Sequence, residues 1–482
     1  MKNKFSHLTI ILGVLIVLFS LLVDAIGLGK SGIQAAQILG IQAGVIIVLC
    51  GVALIILQNK REPSPLPFWL NLRDKIYNLP TLFWVALGIL PAFIPLLIIP
   101  MFFNSGHGIY YPVEYLQNIN PIGNDFRILL DSASNWLINH QTTKHIFTPL
   151  TIFLFSPLLL LGYPYAYYFI ATATLISYLI LVFLAITMTG KGKHPVIVFL
   201  ATISLFSYGL QFELERGQSH TIALMLCVLA VYIFHKQPHF RLFAYLLFCI
   251  SVQIKFYPGL FIVMFVDDWR DWKNILIRFG AIGVVNFLAL FLLGSSYFSA
   301  FYNHTTNGLA ETVELMVGNH SIQSFVFVLP EVGVNLLSRD AMTWVKGNAD
   351  FISTTLYVFF LICFLAVLIK AYVKNTAGIN FDLLLVCVIG ALIVPSINHD
   401  YSLPLLVAPF AMFLPDLNTQ KYPWAKIITI LLIVIVSFTY SLTLFPIEFK
   451  PVYLQNSFPL LFVILIIVTV LSIAQREQST QA

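Results

Sequence analysis

Long apolar runs fill most of this sequence, and short polar stretches separate them. Most runs approach the ~20 residues that a helix needs to cross a hydrocarbon core of roughly 30 Å. Helices satisfy their own backbone hydrogen bonds in lipid, so we expect transmembrane helices. The pattern predicts fourteen spans, at 7–28, 35–57, 80–103, 164–189, 195–211, 219–235, 241–255, 256–267, 279–294, 351–372, 382–396, 402–416, 426–446 and 457–475.

Two further apolar segments, 146–161 and 321–337, could be counted as crossings. Cytoplasmic loops are enriched in Lys and Arg. If both segments stay on the outer face as re-entrant or interfacial helices, 18 of the 26 Lys and Arg lie inside, and if both cross, 13 do. The first topology is favoured. It predicts an all-α polytopic protein of the cell membrane, with about 12–14 transmembrane helices and both termini cytoplasmic.

Composition supports a membrane protein and excludes several other classes. Hydrophobic residues make up 59% of the chain, charged residues 10%, and the mean hydropathy is +0.89. The net charge of +5 comes from basic residues scattered among the loops, so no nucleic-acid partner is expected. The five cysteines fall within apolar runs without metal-ligand spacing, which is typical of packed thiols.

The topology places several polar groups on the outer face, beginning with the loop 104–145. In this loop Asp125 precedes an apolar run and lies next to Arg127. A partly desolvated carboxylate beside a cation could act as a general base. The alternative is structural, because Asn124 or Asp125 would also serve as the N-cap of a helix.

Arg216-Gly217-Gln218 follows an apolar span on the same face. Glycine would let the backbone approach a ligand, and Arg216 and Gln218 could donate to a phosphate or a sugar hydroxyl. The alternative is an ordinary turn in which Arg216 pairs with Glu213.

Lys255 and His399 also interrupt apolar sequence at this face. A lone ammonium within an apolar stretch is costly unless it meets an anion or reaches the interface, so both a functional site and a snorkelling side chain stay open. His399 could donate to a phosphate oxygen or relay a proton, although a capped helix end explains it equally well. No metal or nucleotide motif has a supporting context, so no metal and no cofactor are expected.

Taken in order, these pieces resemble glycosyltransferase family 87, the polyprenyl-phosphate-dependent mannosyltransferases of the GT-C superfamily. The resemblance is carried by Asn124-Asp125-Phe126, Phe147-Thr148-Pro149-Leu150 with Ser156-Pro157, Arg216-Gly217-Gln218, Lys255 with Pro258, Gly318-Asn319-His320-Ser321-Ile322, and His399. The chain departs from the family in having Phe147-Thr148-Pro149 where a Tyr-Pro-Pro sequence is usual, and in the extra hairpin at 7–57.

The resemblance implies a GT-C-like bundle and a division into an N-terminal hairpin with its loop (1–79), a catalytic core (80–425, with outer loops 104–163 and 295–350) and a C-terminal hairpin (426–482). It implies an inverting transfer from a polyprenyl-phosphate-linked sugar, mannose in the family, to a hydroxyl of a glycolipid or envelope glycan on the extracytoplasmic face. Asp125 would be the base. The implied phosphate ligands are Lys255, Arg216 and His399, and the implied substrate-binding residues are Gln218, Asn319, His320, Asn124 and Arg127.

Three other functions stay open on sequence grounds. A carrier or flippase for lipid-linked sugars would also need intramembrane charge, but such proteins show inverted repeats, which we do not find. A ligase or polymerase of preassembled glycans, similar to an O-antigen ligase, would share the outer site and differ in donor size. A structural assembly protein fits least well with polar groups gathered on one face.

Overall fold

The computed structural model describes residues 11–16, 123–138, 147–189, 194–205, 208–305, 319–332, 339–375, 378–413 and 456–474. Within these ranges the regular structure is helical, apart from an isolated bridge between Asn319 and His399. The predicted all-α class is therefore confirmed for the described part of the chain. Predicted spans 35–57, 80–103 and 426–446, and most of 7–28, lie outside the described residues.

The helices are named here in chain order. The α-helices are α1 Asn124–Leu137, α2 Pro149–Phe155, α3 Tyr163–Met188, α4 His194–Leu205, α5 Tyr208–Arg216, α6 His220–Lys236, α7 Arg241–Ile254, α8 Trp272–Ala289, α9 Ser295–Asn303, α10 Ile322–Val332, α11 Arg339–Gly347, α12 Ala349–Lys374, α13 Phe381–Ile393, α14 Val407–Phe413 and α15 Phe458–Ala474. The 3₁₀ helices are Ser156–Leu161, Pro238–Phe240, Tyr257–Met264 and Asp400–Leu406.

Three described helices are long and apolar enough to cross a membrane, namely Tyr165–Met188 within α3, all of α8 and all of α12. Their side chains are largely exposed, as expected where lipid replaces water as the solvent. The structure is that of an all-α membrane protein.

Several predicted spans differ from the helices. In its described part, span 195–211 contains residues of two helices, α4 and α5, and span 402–416 contains part of a 3₁₀ helix followed by α14. Span 279–294 begins seven residues too late, because α8 starts at Trp272, where Asp271 accepts a hydrogen bond from the Asn274 N–H. The predicted span began after Lys273 and Arg278 because these residues are charged. Long basic side chains on a helix can nevertheless reach the interface, so they are compatible with an earlier start.

The two apolar segments without an assigned crossing are short in the structure. Segment 146–161 contains α2 and the 3₁₀ helix Ser156–Leu161, and segment 321–337 contains α10 in its described part. At about 1.5 Å per residue, α10 with 11 residues spans less than a bilayer core. The length of the helices in segment 146–161 agrees with an interfacial or re-entrant helix, and segment 321–337 is described only as far as Val332.

Contacts divide the chain into two compact units. One comprises Met1–Glu114, Thr189–Ser207 and Leu414–Lys450, and the other Tyr115–Met188, Tyr208–Phe413 and Pro451–Ala482. Every candidate site residue belongs to the second unit. The predicted boundaries at 79 and 425 fall outside the described residues.

The second unit is built around two helices. α6 packs against α7 and α3, and α13 packs against α12, α15 and the 3₁₀ helix Tyr257–Met264. α13 is buried on every side from Leu383 to Ile393, as expected of a helix that is apolar all round. α5 packs against α1 and the 3₁₀ helix Asp400–Leu406, which brings three polar segments together beside this core.

Candidate active site

The site is centred on the turn between α5 and α6. The N–H of Gln218 donates to the carbonyl of Glu213 and the N–H of Gly217 to that of Leu214, both at 3.0 Å. This pair of bonds is the Schellman closure of a helix end, which needs a left-handed residue after the last helical one. Gly217 fills that position with a φ of 66°.

Glycine also lets the start of α1 approach this turn. A Cβ on Gly217 would lie 2.7 Å from Cβ of Phe126 and 3.4 Å from Cα of Gly123. Gly123, the N-cap of α1, has a φ of 81°, and a Cβ on it would lie 2.6 Å from the Tyr167 ring. The backbone contact between these two glycines places the first turn of α1 above the Arg216-Gly217-Gln218 sequence.

Asp125 lies in this first helical turn, where a carboxylate is favoured by the helix dipole. Its Oδ2 accepts a hydrogen bond from Gln218 Nε2 at 2.5 Å and lies 3.7 Å from Arg216 Nε. Neither Asn124 nor Asp125 is the N-cap, because that position belongs to Gly123. Arg216 pairs with Asp125, so the alternative of a local Arg216–Glu213 pair is wrong.

Lys255 completes a chain of polar contacts. α7 ends at Ile254, and Lys255 is extended, with φ −146° and ψ 140°. The hydroxyls of Thr148 and Thr151 both donate to the Gln253 carbonyl at 2.6 Å, which stabilises the break. Lys255 Nζ then donates to Gln218 Oε1 at 2.8 Å. One amide thus links the carboxylate of Asp125 to the ammonium of Lys255.

Glu213, whose backbone carbonyl accepts the Gln218 N–H, carries a buried carboxylate. Its Oε1 accepts from the Thr221 N–H and its Oε2 from the Thr221 hydroxyl, both at 2.6 Å. The side chain is fully buried, and burial raises the pKa of Glu213 to about 7, although Thr221 and the nearby Lys255 oppose the increase. Sequence reasoning assigned Glu213 only to a local ion pair.

An aromatic cluster connects His399 to the same region. The His220 ring stacks on Tyr257 with centroids 5.8 Å apart, and Tyr401 lies 5.1 Å from His220 and 5.4 Å from His399. Tyr257 donates its hydroxyl to the His220 carbonyl at 2.7 Å. Sequence reasoning missed His220, since one histidine in an apolar helix carries no distinguishing pattern.

Asn319 and His320 belong to a polar network with the chain segment that carries His399. Asn319 Nδ2 donates to the Ser396 carbonyl at 3.1 Å, and its Oδ1 accepts from the Asn398 N–H at 3.0 Å. His320 Nδ1 lies 3.4 Å from an Asp400 oxygen. Both side chains are fully buried. Their contacts hold the segment that carries His399.

Asn124 and Arg127 flank Asp125 on α1. The Arg127 side chain is 52% exposed, with its Nε 3.9 Å from Asp131 and its guanidinium 6.0 Å from the Tyr163 ring. Arg127 therefore lies at the surface near the site and outside the Asp125–Gln218–Lys255 chain.

A narrow cleft that is partly open to solvent lies beside these groups, and its enclosed space is about 10 Å³, roughly that of one water molecule. Its polar wall contains Asp125, Gln218 and Lys255. The rest of the lining is mainly apolar and includes Phe126, Leu129, Phe147, Phe155 and Ile170. The cleft thus brings charged and apolar side chains side by side. Among the described residues, no group of three or more His, Cys, Asp or Glu is arranged to hold a metal ion.

The sequence profile of glycosyltransferase family 87 matches residues 145–395, more than half of the chain. The chain belongs to glycosyltransferase family 87. No curated protein and no solved structure matches the chain. Within the range of the family 87 match lie Arg216, Gln218, Lys255, Asn319 and His320, whereas Asn124, Asp125, Arg127 and His399 lie outside it.

The match confirms the predicted family and supports glycosyltransferase activity, which requires a sugar donor and an acceptor. Of the nine residues predicted for the site, four are joined in one series of contacts, in which Asp125 contacts Arg216 and Gln218, and Gln218 contacts Lys255. His399 is connected to Arg216 through the rings of Tyr401 and Phe212.

Proposed function

We propose that this family 87 glycosyltransferase moves mannose from a polyprenyl-phosphate donor to an acceptor hydroxyl on the extracytoplasmic face, with inversion. The observation that carries the proposal is the Asp125–Gln218–Lys255 chain, which puts a carboxylate and an ammonium on the lining of one cleft. A glycosyl transfer needs both a base for the acceptor and a cation for the leaving phosphate.

In this mechanism the acceptor oxygen forms a bond to the anomeric carbon as the bond from that carbon to the phosphate oxygen breaks. Asp125 takes the acceptor proton, and the electron pair of the broken bond goes to the polyprenyl phosphate. Gln218 and Arg216 both contact Oδ2 of Asp125, so Oδ1 is the proposed proton acceptor. The base acts on the face of the sugar opposite the leaving group, so the configuration inverts.

The leaving phosphate is already an anion and needs no proton. Lys255, Arg216 and His399 are the proposed groups that stabilise its growing charge. Gln218, Asn124 and Arg127 would contact the sugar or the acceptor, and Asn319 and His320 would act through the segment that carries His399. The apolar wall of Phe126, Leu129 and Phe155 suits an isoprenoid chain.

The extracytoplasmic location is part of the proposal, and the distribution of Lys and Arg supports it. Nucleotide sugars are made in the cytoplasm, so a transferase that acts on the other face needs a donor carried across on a lipid. A glycolipid or envelope glycan is the proposed acceptor. The protein would cross the cell membrane several times with both termini inside.

The test measures sugar transfer by purified protein in lipid vesicles that contain radiolabelled polyprenyl-phosphate-mannose and candidate glycolipid acceptors. We expect transfer by the wild type and a loss of at least about 10²-fold in Asp125→Asn, since general-base catalysis contributes roughly 10²–10⁴-fold. The matched control is Asp131→Asn, which changes an exposed aspartate on the same helix and should keep wild-type activity.

Equal transfer by Asp125→Asn and the wild type would remove Asp125 from the mechanism. Transfer from polyprenyl-phosphate-glucose but not from the mannose donor would contradict the proposed sugar. Movement of the intact donor across the bilayer without transfer would favour the carrier, and use of only oligosaccharide donors would favour the ligase or polymerase.

A further inference from the structure

Glu213 is a buried charged group that the proposed mechanism does not use. It lies on α5, is 0% exposed, and directs both carboxylate oxygens at Thr221. A buried carboxylate is costly unless hydrogen bonds and nearby positive charge compensate it. The burial of Glu213 at the turn that carries Gln218 therefore calls for an explanation at the level of the site.

The contacts of Glu213 hold Gln218 from both sides. Its backbone carbonyl accepts the Gln218 N–H at 3.0 Å, which fixes the residue at the end of α5. Its carboxylate accepts the Thr221 N–H and hydroxyl at the start of α6, where the N-cap residue Ser219 makes no side-chain cap. The carboxylate thus supplies the missing cap and faces the positive end of the helix dipole.

Gln218 lies between these two fixed points, and its side-chain amide joins Asp125 to Lys255. A primary amide can make both contacts only in one orientation, with Nε2 toward the carboxylate and Oε1 toward the ammonium. A change in the turn would move the amide relative to both partners. Since a misplacement of 1 Å can cost about 10²-fold in rate, the fixed backbone matters for the chemistry.

From this geometry we infer that Glu213 is a positioning residue for transfer. It fixes the α5–α6 turn, so that the Gln218 side chain holds Asp125 and Lys255 at a set distance from each other. This inference rests on the proposed function of Asp125. Glu213 itself contacts neither reacting group. Its effect on the rate passes through Gln218.

The test is a double-mutant cycle with Glu213→Ala and Gln218→Ala, measured as kcat/KM for donor in the vesicle assay. We expect each single variant to lose roughly 10- to 100-fold, and the double variant to be no worse than Gln218→Ala alone. Contacts that act through one another are non-additive, whereas a general structural role would multiply the two losses.

Glu213→Gln tests the hydrogen bonds without the charge. Its Oε1 can accept the Thr221 N–H and its Nε2 can donate to the Thr221 hydroxyl, so it should recover most of the activity that Glu213→Ala loses. Thr221→Val removes one of the two bonds and should reduce activity less than Glu213→Ala. This variant also keeps the test valid if Glu213→Ala does not fold.

Asp382→Asn is the matched control for a partly buried carboxylate. Asp382 accepts from Lys370 at 2.7 Å and from Ser472 at 2.8 Å, in contacts separate from those of Gln218. Any fold loss of kcat/KM in Asp382→Asn should multiply with the fold loss in Gln218→Ala when the two changes are combined. The inference is overturned if Glu213→Ala and Thr221→Val keep wild-type rates while Asp125→Asn is inactive, or if the Glu213 and Gln218 losses multiply. Wild-type transfer by Asp125→Asn would instead overturn the proposed function.

Discussion

At the residue scale, the site depends on a neutral amide between two opposite charges. Gln218 donates to Asp125 and accepts from Lys255, so each ionised group is partly satisfied without direct pairing between them. A direct ion pair would hold both groups more tightly and leave less room for a substrate. The amide keeps the carboxylate and the ammonium on the lining of the same cleft, and in the proposed function both face the substrate.

Gly217 gives the first residue-scale prediction. Gly217→Ala places a side chain at φ 66°, which costs roughly 1–2 kcal/mol for an L-residue, and its Cβ would lie 2.7 Å from Cβ of Phe126. Relief of this clash must move α1 away from the turn, and Asp125 with it. We expect a lower thermal unfolding midpoint in detergent and a lower transfer rate in the vesicle assay.

The control is Gly280→Ala in α8, where an added Cβ has no neighbour within 4 Å. Alanine is favoured over glycine within a helix by about 1 kcal/mol, so this variant should keep or raise the midpoint and keep the rate. A Gly217→Ala protein that is as stable and as active as Gly280→Ala would contradict the close approach of α1 to the turn.

Charge in apolar surroundings allowed some of the site to be predicted. Lys255 and Asp125 stood out because ionised groups near lipid are costly, and the structure joins them through Gln218. The partner of Arg216 could not be predicted, because local spacing suggested Glu213 and the structure supplies Asp125 from 91 positions earlier in the chain. Local patterns do not report such long-range contacts.

At the element scale, the prediction failed where a span joins two short helices. Residues 195–211 are apolar enough for one crossing, yet the described chain forms α4 and a separate α5. α5 has nine residues, too few to cross a bilayer, and its role is to carry the turn that holds Gln218. The periodicity of hydrophobic residues does not distinguish a crossing from a short buried helix.

The junction of α5 and α6 predicts a pH dependence of stability. Burial raises the pKa of Glu213 from 4.5 to about 7 in the folded protein, and the positive charge of Lys255 only partly opposes this. A group whose folded pKa is raised stabilises the protein fully below its unfolded pKa and loses that contribution as the pH rises through the folded value. The thermal unfolding midpoint of the wild type should therefore decrease as the pH rises from about 5 to about 8.

The measurement is the thermal unfolding midpoint in detergent, compared with Glu213→Gln at each pH. Glutamine does not titrate, so the midpoint of the wild type minus that of the variant should decrease with pH, most steeply near pH 7. A difference that is constant with pH would show that Glu213 does not titrate in this range.

At the scale of the whole molecule, topology decides whether the site can meet a lipid-borne donor. Asp131 on α1 should share the outer face with Asp125, because both lie on the helix that lines the cleft. Arg270 lies between the 3₁₀ helix Tyr257–Met264 and α8, in a loop that the distribution of basic residues assigns to the cytoplasm. In the proposed topology these two positions lie on opposite sides of the membrane.

The last prediction uses these two exposed positions as labels. The four described cysteines are buried, so a cysteine introduced at the surface should react first with a thiol reagent, and the unsubstituted protein measures any background from Cys50. A membrane-impermeant maleimide applied to intact spheroplasts should label Asp131→Cys and leave Arg270→Cys unlabelled. After permeabilisation both should react, which controls for accessibility. Labelling of Arg270→Cys alone in intact spheroplasts would place the cleft on the cytoplasmic side, where a nucleotide sugar could serve directly and no lipid-linked donor would be needed.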